Sequence, residues 1–139
     1  MWSFEVSKST TASKEKVWQL WSNVSDWNHW DLEIKSSSIE GALIEGAKGF
    51  LTPTKGPKSK FEITECTPLK SFTATSSLPL CKMKIIHYII EGEKEIRITH
   101  KFVMSGPLSF LFSKVIGSNL EKGLPETLKN LVALAEKNT

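Results

Sequence analysis

The stretch from Lys82 to Met104 constrains the fold more than any other, because it contains two long runs of alternating apolar and polar residues, KMKIIHYII and EIRITHKFVM. Gly92 and Glu93 between the runs predict a two-residue turn in which Glu91 pairs with Lys94. Side chains alternate faces along a strand, so this register gives a hairpin with one apolar face, expected to lie in the core. That face holds Met83, Ile85, His87, Ile89, Ile96, Ile98, His100, Phe102 and Met104.

Two of the chain's three histidines, His87 and His100, lie on this apolar face as diagonal neighbours. Burial disfavours the charged imidazole, so a neutral histidine able to act as a general base is feasible there. The alternatives to a catalytic role are that the two histidines are buried, hydrogen-bonded core residues or that they bind a ligand. No carboxylate shares the face to orient either ring, and Asp31 could do so only through tertiary contacts. His87 and His100 are the candidate catalytic residues because a neutral, buried imidazole can act as a base. The sequence leaves open whether any reaction is catalysed.

A metal site would need a third ligand beside the two histidines. Cys66 lies out of phase with the inward-facing Phe61 and Ile63 unless a bulge intervenes, and His29 belongs to a tryptophan-rich segment. The sequence contains no CxxC, no GxSxG nucleophile motif and no GxxxxGK[ST] phosphate loop. We therefore expect neither a metal nor a cofactor.

Length and composition narrow the class of protein. The 139 residues predict a single domain, 1–139, with a substantial core, and no apolar run approaches the roughly 20 residues of a membrane helix. The alternating N-terminus is expected to be a strand and not a signal peptide. A net charge of +3 with one arginine, Arg97, argues against nucleic acid as a partner. Cys66 and Cys81 suggest reduced thiols, so we expect the protein to be cytoplasmic. We also expect a monomer or weak dimer, without stable membrane insertion.

The rest of the chain alternates as strands and short helices. Strands are expected at 2–6, 33–39, 48–52, 61–64 and 72–76. Ser13 is suited to cap a first helix, and a short second helix carries Trp27 and Trp30. The tryptophans of this segment either pack the helices on the sheet or place one side chain, Trp30, in a cavity. Residues 108–138 are helical in pattern, and Gly123 and Pro125 predict a kinked helix or two helices.

This order predicts an α+β fold. A curved antiparallel sheet of about seven strands would wrap a long, kinked C-terminal helix, with two short helices after the first strand. Such an arrangement leaves space for a cavity between the sheet and the C-terminal helix.

The same order, with several short motifs, resembles the START-like superfamily, also called SRPBCC or Bet v 1-like, which has the helix-grip fold. The motifs are Val17-Trp18, Asp26-Trp27 with Trp30-Asp31, Leu78-Pro79-Leu80, Thr99-His100, Ser105-Gly106-Pro107-Leu108 and Gly123-Leu124-Pro125. The last four of these, together with His87, are most similar to the branch labelled polyketide cyclase/dehydrase and lipid transport. The resemblance implies a lipid carrier, a receptor or a cyclase, and fold alone does not choose among them.

These observations predict a protein that binds a hydrophobic small molecule, lipid or polyketide-like, between the sheet and the C-terminal helix. The expected lining is Trp30, Leu51, Phe61, Phe72, Met83, Ile85, His87, Ile98, His100, Phe102, Met104, Phe112 and Ile116. A closed core filled by these side chains is the alternative to a cavity. The other functions considered are an aromatase/cyclase or dehydratase with a histidine base, and an interaction or co-chaperone module whose Lys48–Lys60 loop meets an acidic partner.

Overall fold

The computed structural model describes residues 2–54, 58–78, 80–114 and 118–137. The elements are β1 (Trp2–Thr10), α1 (Lys14–Ser22), a 3-10 helix (Val24–His29), β2 (Ile34–Ile39), β3 (Lys48–Pro53), β4 (Ser59–Thr67), β5 (Ser71–Leu78), β6 (Cys81–Glu91), β7 (Ile96–Ser105), α2 (Ser109–Phe112) and α3 (Ser118–Lys137). The strands form one antiparallel sheet in the order β1-β7-β6-β5-β4-β3-β2. The predicted α+β, helix-grip architecture is confirmed.

The hairpin of β6 and β7 has the predicted faces but a different turn. Glu91 pairs with Ile96, so the loop is four residues long, and the Gly92 N–H donates to the Glu95 carbonyl at 3.0 Å. The predicted pairing of Glu91 with Lys94 is therefore wrong by two residues. Because a shift of two residues preserves the alternation of side chains, the same residues face the core. The shift does make His87 and His100 direct cross-strand partners instead of diagonal neighbours.

The helices cover the inner face of the sheet. The Ser13 side chain accepts a hydrogen bond from the Lys16 N–H at 3.1 Å, which is the predicted N-cap of α1. The main core combines α1, the 3-10 helix, the sheet and α3, and includes Val17, Trp21, Trp27, Trp30, Phe72, Ile98, Leu128 and Leu131. A hydrogen bond of 2.6 Å from the Thr10 hydroxyl to Glu136 also ties α3 to β1.

The described residues of the C-terminal segment contain the helices α2 and α3, which are not separated at Gly123 and Pro125. Both residues lie inside α3, which extends from Ser118 to Lys137. Proline removes only one backbone hydrogen bond, to the carbonyl four residues earlier. The buried side chains of Leu124 and Leu128 on either side of Pro125 keep this helix packed. None of the helices in the described residues is long and apolar enough to cross a bilayer.

Gly49 in β3 makes a close contact that a larger residue could not. A Cβ at this position would meet the Ser38 carbonyl and lie 2.5 Å from Cζ of Phe61. We expect Gly49→Ala to lower the free energy of unfolding by about 1–3 kcal/mol, because backbone and a buried ring must both move. Urea denaturation measures this loss.

Gly123→Ala is the matched control, because it is the same substitution at a tolerant site. There the added Cβ meets only the Glu33 side chain, whose Oε1 would lie 2.9 Å away. That exposed carboxylate can rotate aside, and alanine favours a helix over glycine by about 0.5–1 kcal/mol. Unchanged or higher stability is expected, and equal losses in the two variants would contradict the close packing at Gly49.

Candidate functional site

Two histidines lie next to each other on the inner surface of the sheet. His87 on β6 and His100 on β7 are direct partners, and their side chains are 5% and 2% exposed. The ring centroids are 4.6 Å apart with an angle of 71° between the planes. The sequence predicted the shared face, and the structure brings the two imidazoles into edge-to-face contact.

His87 is held by its neighbours on β5 and α1. Its ring stacks on Phe72 with centroids 4.0 Å apart and planes 6° apart, and Trp21 contacts it at 5.6 Å. Nδ1 of His87 lies 3.4 Å from the Phe72 carbonyl oxygen. A carbonyl only accepts hydrogen bonds, so this contact assigns the proton to Nδ1.

Both histidines are neutral near pH 7. Burial lowers the pKa of His87 to about 3, against weaker opposing hydrogen bonds from the backbone. Burial, and then the neighbouring His87, lower the pKa of His100 well below its usual 6.5. His87 therefore holds a proton only in strongly acidic solution, and burial disfavours protonation of His100 in the same direction. The pair is therefore an uncharged polar feature of an apolar surface.

Asp31 does not orient either ring. Its carboxylate accepts hydrogen bonds from the Glu33 backbone N–H at 3.0 Å and from the Thr127 hydroxyl at 3.3 Å. Burial raises the pKa of Asp31 to about 6. This carboxylate joins the segment before β2 to α3, and the partnership with His87 or His100 that the sequence left open is not formed.

Two tryptophans complete the polar cluster around His100. Trp21 contacts the His100 ring at 5.8 Å and Trp30 contacts it at 5.9 Å. Among the described residues, Nε1 of Trp21, Nε1 of Trp30 and Nε2 of His100 are buried and have no hydrogen-bond partner. Trp27 differs, since its Nε1 donates to the Trp21 carbonyl at 2.9 Å. Sequence reasoning singled out Trp30 but missed Trp21, whose place in the apolar stripe of α1 indicated only a core residue.

An apolar surface continues from the histidines toward the Cys81 end of β6. We call it the inner wall, and it consists of Trp2, Phe4, Met83, Ile85, Phe102 and Met104. Phe102 and Met104 are buried, whereas the other four side chains are partly exposed. The rings of Trp2 and Phe4 lie 6.4 Å apart, nearly parallel. Sequence reasoning missed these two as site residues, although the alternation of β1 placed them on one face.

The remaining predicted lining residues are not part of the inner wall. Phe61, Phe72 and Ile98 are buried in the main core, and Leu51 packs against it. Phe112 on α2 is partly buried, on a helix that packs against β6 and β7. Ile116 lies outside the described residues. The two surface hollows of about 260 and 340 Å³ are lined by none of the twelve predicted residues that the structure describes, so the predicted cavity stays a prediction.

A bulge in β4 decides the position of Cys66. The register shifts between Ile63 and Glu65, and Cys66 then pairs with Phe72. Its Sγ lies 3.5 Å from the Leu43 carbonyl, at the edge of the core, and burial raises the pKa of the thiol. In the part of the chain that the structure describes, no three histidine, cysteine or acidic side chains are grouped to hold a metal.

Solved structures share this fold at low sequence identity. A protein of Mesorhizobium loti is 13% identical, with a TM-score of 0.79 over 99% of each chain. The di-domain ARO/CYC StfQ from the steffimycin biosynthetic pathway is 10% identical, with a TM-score of 0.80 over 98% of this chain. DynU16 of the dynemicin biosynthetic locus is 14% identical, with a TM-score of 0.74 over 99% of this chain.

The chain spans 51% of StfQ and 48% of DynU16. No family model matches the chain, and no curated protein matches it either. These similarities establish the fold: the chain has a helix-grip architecture in common with solved structures that include an ARO/CYC protein.

Proposed function

We propose that this protein binds a hydrophobic small molecule, lipid or polyketide-like, against the inner wall, with the polar end of the molecule toward His87 and His100. The observation that carries the proposal is the position of a buried polar cluster at one end of a partly exposed apolar wall. An apolar surface with a few convergent polar groups is the usual form of a small-molecule site.

The dimensions of the wall support a ligand of moderate length. His87 and Met83 are four residues apart on β6, and a strand rises about 3.3 Å per residue, which gives about 13 Å. β1 widens the surface with Trp2 and Phe4. Two similar solved structures come from biosynthetic systems, which adds support for a small-molecule ligand. We also propose, as the sequence suggested, that the protein is cytoplasmic, needs no cofactor and consists of a single domain.

A cyclase or dehydratase with a histidine base is less well supported. General-base catalysis is most efficient when the pKa of the base lies near the working pH, and burial lowers the pKa of His87 to about 3. Neither ring has a carboxylate partner among the described residues. If replacing either histidine by alanine abolished turnover of a polyketide substrate in a folded variant, catalysis would replace binding as the conclusion.

An interaction module is also less well supported. Lys58 and Lys60 lie over the ring of Phe50, with Nζ 4.4 and 5.9 Å from its centroid. Such cation–π contacts give these two lysines a local role on the sheet surface. Strongly salt-sensitive association with an acidic protein would support the interaction module instead.

Native mass spectrometry and organic extraction of the purified protein test the binding proposal. We expect an apolar compound to co-purify with the wild-type protein, or a member of a lipid and polyketide panel to bind it. The Ile85→Glu variant, prepared identically, should carry less of the same compound because it puts a carboxylate in the wall. Absence of any bound compound together with no binding from the panel would contradict the proposal.

A further inference from the structure

Three buried polar atoms of the aromatic cluster lack partners in the described residues: Nε1 of Trp21, Nε1 of Trp30 and Nε2 of His100. The three side chains are 0%, 3% and 2% exposed, and both indoles contact the His100 ring. Buried polar groups are nearly always hydrogen-bonded, so three unpartnered atoms in one cluster require an explanation. They lie where the apolar inner wall ends.

The chemistry of these atoms indicates what they would bind. An indole N–H only donates, so each tryptophan requires an acceptor. The two donors come from separate elements, Trp21 from α1 and Trp30 from the position directly after the 3-10 helix, and both rings contact the His100 imidazole. A carbonyl oxygen has two lone pairs and can accept from two donors at once.

The charge of the ligand's polar group decides whether a carbonyl or a carboxylate suits this cluster. Among the described residues no lysine or arginine is buried, so a group enclosed in this cluster meets no buried positive side chain. An ionised carboxylate that leaves water without a compensating charge is strongly disfavoured, whereas a neutral carbonyl loses much less hydration. The cluster therefore suits an uncharged acceptor.

We propose that the indole N–H groups of Trp21 and Trp30, beside the His100 ring, form a binding site for the uncharged carbonyl oxygen of an otherwise apolar ligand, such as a ketone, ester or quinone. This inference rests on the proposed function, because the apolar body of the ligand would lie along the inner wall. It narrows the ligand class by excluding fatty acids in their ionised form and plain hydrocarbons. A site built to hydrogen-bond one group rejects analogues that lack it, because its polar atoms are then left unpaired.

The test compares three probes of similar length: 2-decanone, decanoate and 1-chlorononane. Binding is measured by calorimetry and by ligand-induced shifts of the thermal midpoint. We expect 2-decanone to bind the wild-type protein at least 10-fold more tightly than either of the other probes. Trp30→Phe and Trp21→Phe remove the N–H and keep an aromatic ring, so each should reduce this preference to less than threefold.

Trp27→Phe is the matched control, because the Trp27 N–H already donates to the Trp21 carbonyl. It should lower the urea midpoint and retain the preference for the ketone. Trp30→Phe should lower the midpoint less, since the lost N–H has no protein partner. Equal loss of ketone preference in the two variants would overturn the inference.

The failure of this inference is distinguishable from that of the proposed function. If 1-chlorononane or decanoate binds the wild-type protein as tightly as 2-decanone, the carbonyl site is wrong and apolar binding stands. If no probe binds and no apolar compound co-purifies, both proposals fail.

Discussion

When the pH falls from 7 to 4, His87 is expected to lower the free energy of unfolding of the wild-type protein by about 3 kcal/mol. The His87→Gln variant should not show this loss. The pKa of His87 is about 3 in the folded chain, against 6.5 for an exposed histidine. Between these values the unfolded state binds a proton that the folded state does not, so stability falls as the pH falls. Glutamine does not titrate, and its amide can still donate to the Phe72 carbonyl.

Two other groups affect the same pH range. His100 acts in the same direction as His87, because its pKa is also lowered by burial. Asp31 acts in the opposite direction: its pKa of about 6 lies above the ordinary 3.8, so the folded state binds its proton first and gains stability as the pH falls. The difference between the wild-type protein and His87→Gln leaves out Asp31 and reports His87 together with its effect on the pKa of His100.

Urea denaturation at pH 7 and pH 4 measures this difference. His29→Gln is the matched control for the substitution itself, since 63% of the His29 side chain is exposed, and it should leave the stability at pH 7 unchanged. NMR titration of the folded wild-type protein is a second measurement, and His87 should stay unprotonated down to pH 4. Protonation of His87 near pH 6 would contradict the buried, neutral pair.

Ile85→Glu is expected to weaken binding of 2-decanone at least about 10-fold, or about 1.4 kcal/mol. Ile85 lies on the inner wall between Phe102 and Ala74. A bound ligand would exclude water from the new carboxylate, and removing an ionised carboxylate from water without a partner is costly. Calorimetric titration measures the change in affinity.

Ile86→Glu is the control on the opposite face of the same strand. Ile86 pairs with Lys101 and Thr73, and like Ile85 it is partly exposed. A glutamate opposite Lys101 forms a favourable cross-strand pair, so the fold should tolerate it. Affinity for the probe should match that of the wild-type protein. Equal weakening by both substitutions would show that the ligand does not lie on the inner face.

Hydrophobic alternation predicted which residues of the hairpin face inward, because the period of two is insensitive to an even shift in register. It could not fix the turn: Gly92 suggested a two-residue loop, whereas its contact with the Glu95 carbonyl closes a four-residue loop. Direct pairing of His87 with His100 depends on that loop. Turn chemistry is thus a weaker predictor than the face of a strand.

The helical part of the site was harder to predict. Periodicity placed Trp21 on an apolar stripe, but it does not report whether an indole N–H finds a partner in the core. Gly123 and Pro125 predicted a kinked helix or two helices; α3 continues through both residues, because packing of Leu124 and Leu128 outweighs one missing hydrogen bond. The bulge that brings Cys66 opposite Phe72 has no distinct sequence signal. Tertiary packing decides each of these features.

Methyl NMR of the methionines tests the binding proposal most directly. The chain has three methionines, and Met83 and Met104 face each other on the inner wall. Titration with 2-decanone of protein carrying 13C-labelled methionine methyls should shift the resonances of Met83 and Met104 saturably and together. If both resonances stay in place at concentrations that saturate binding, the ligand does not occupy the inner wall, and the proposed site is wrong.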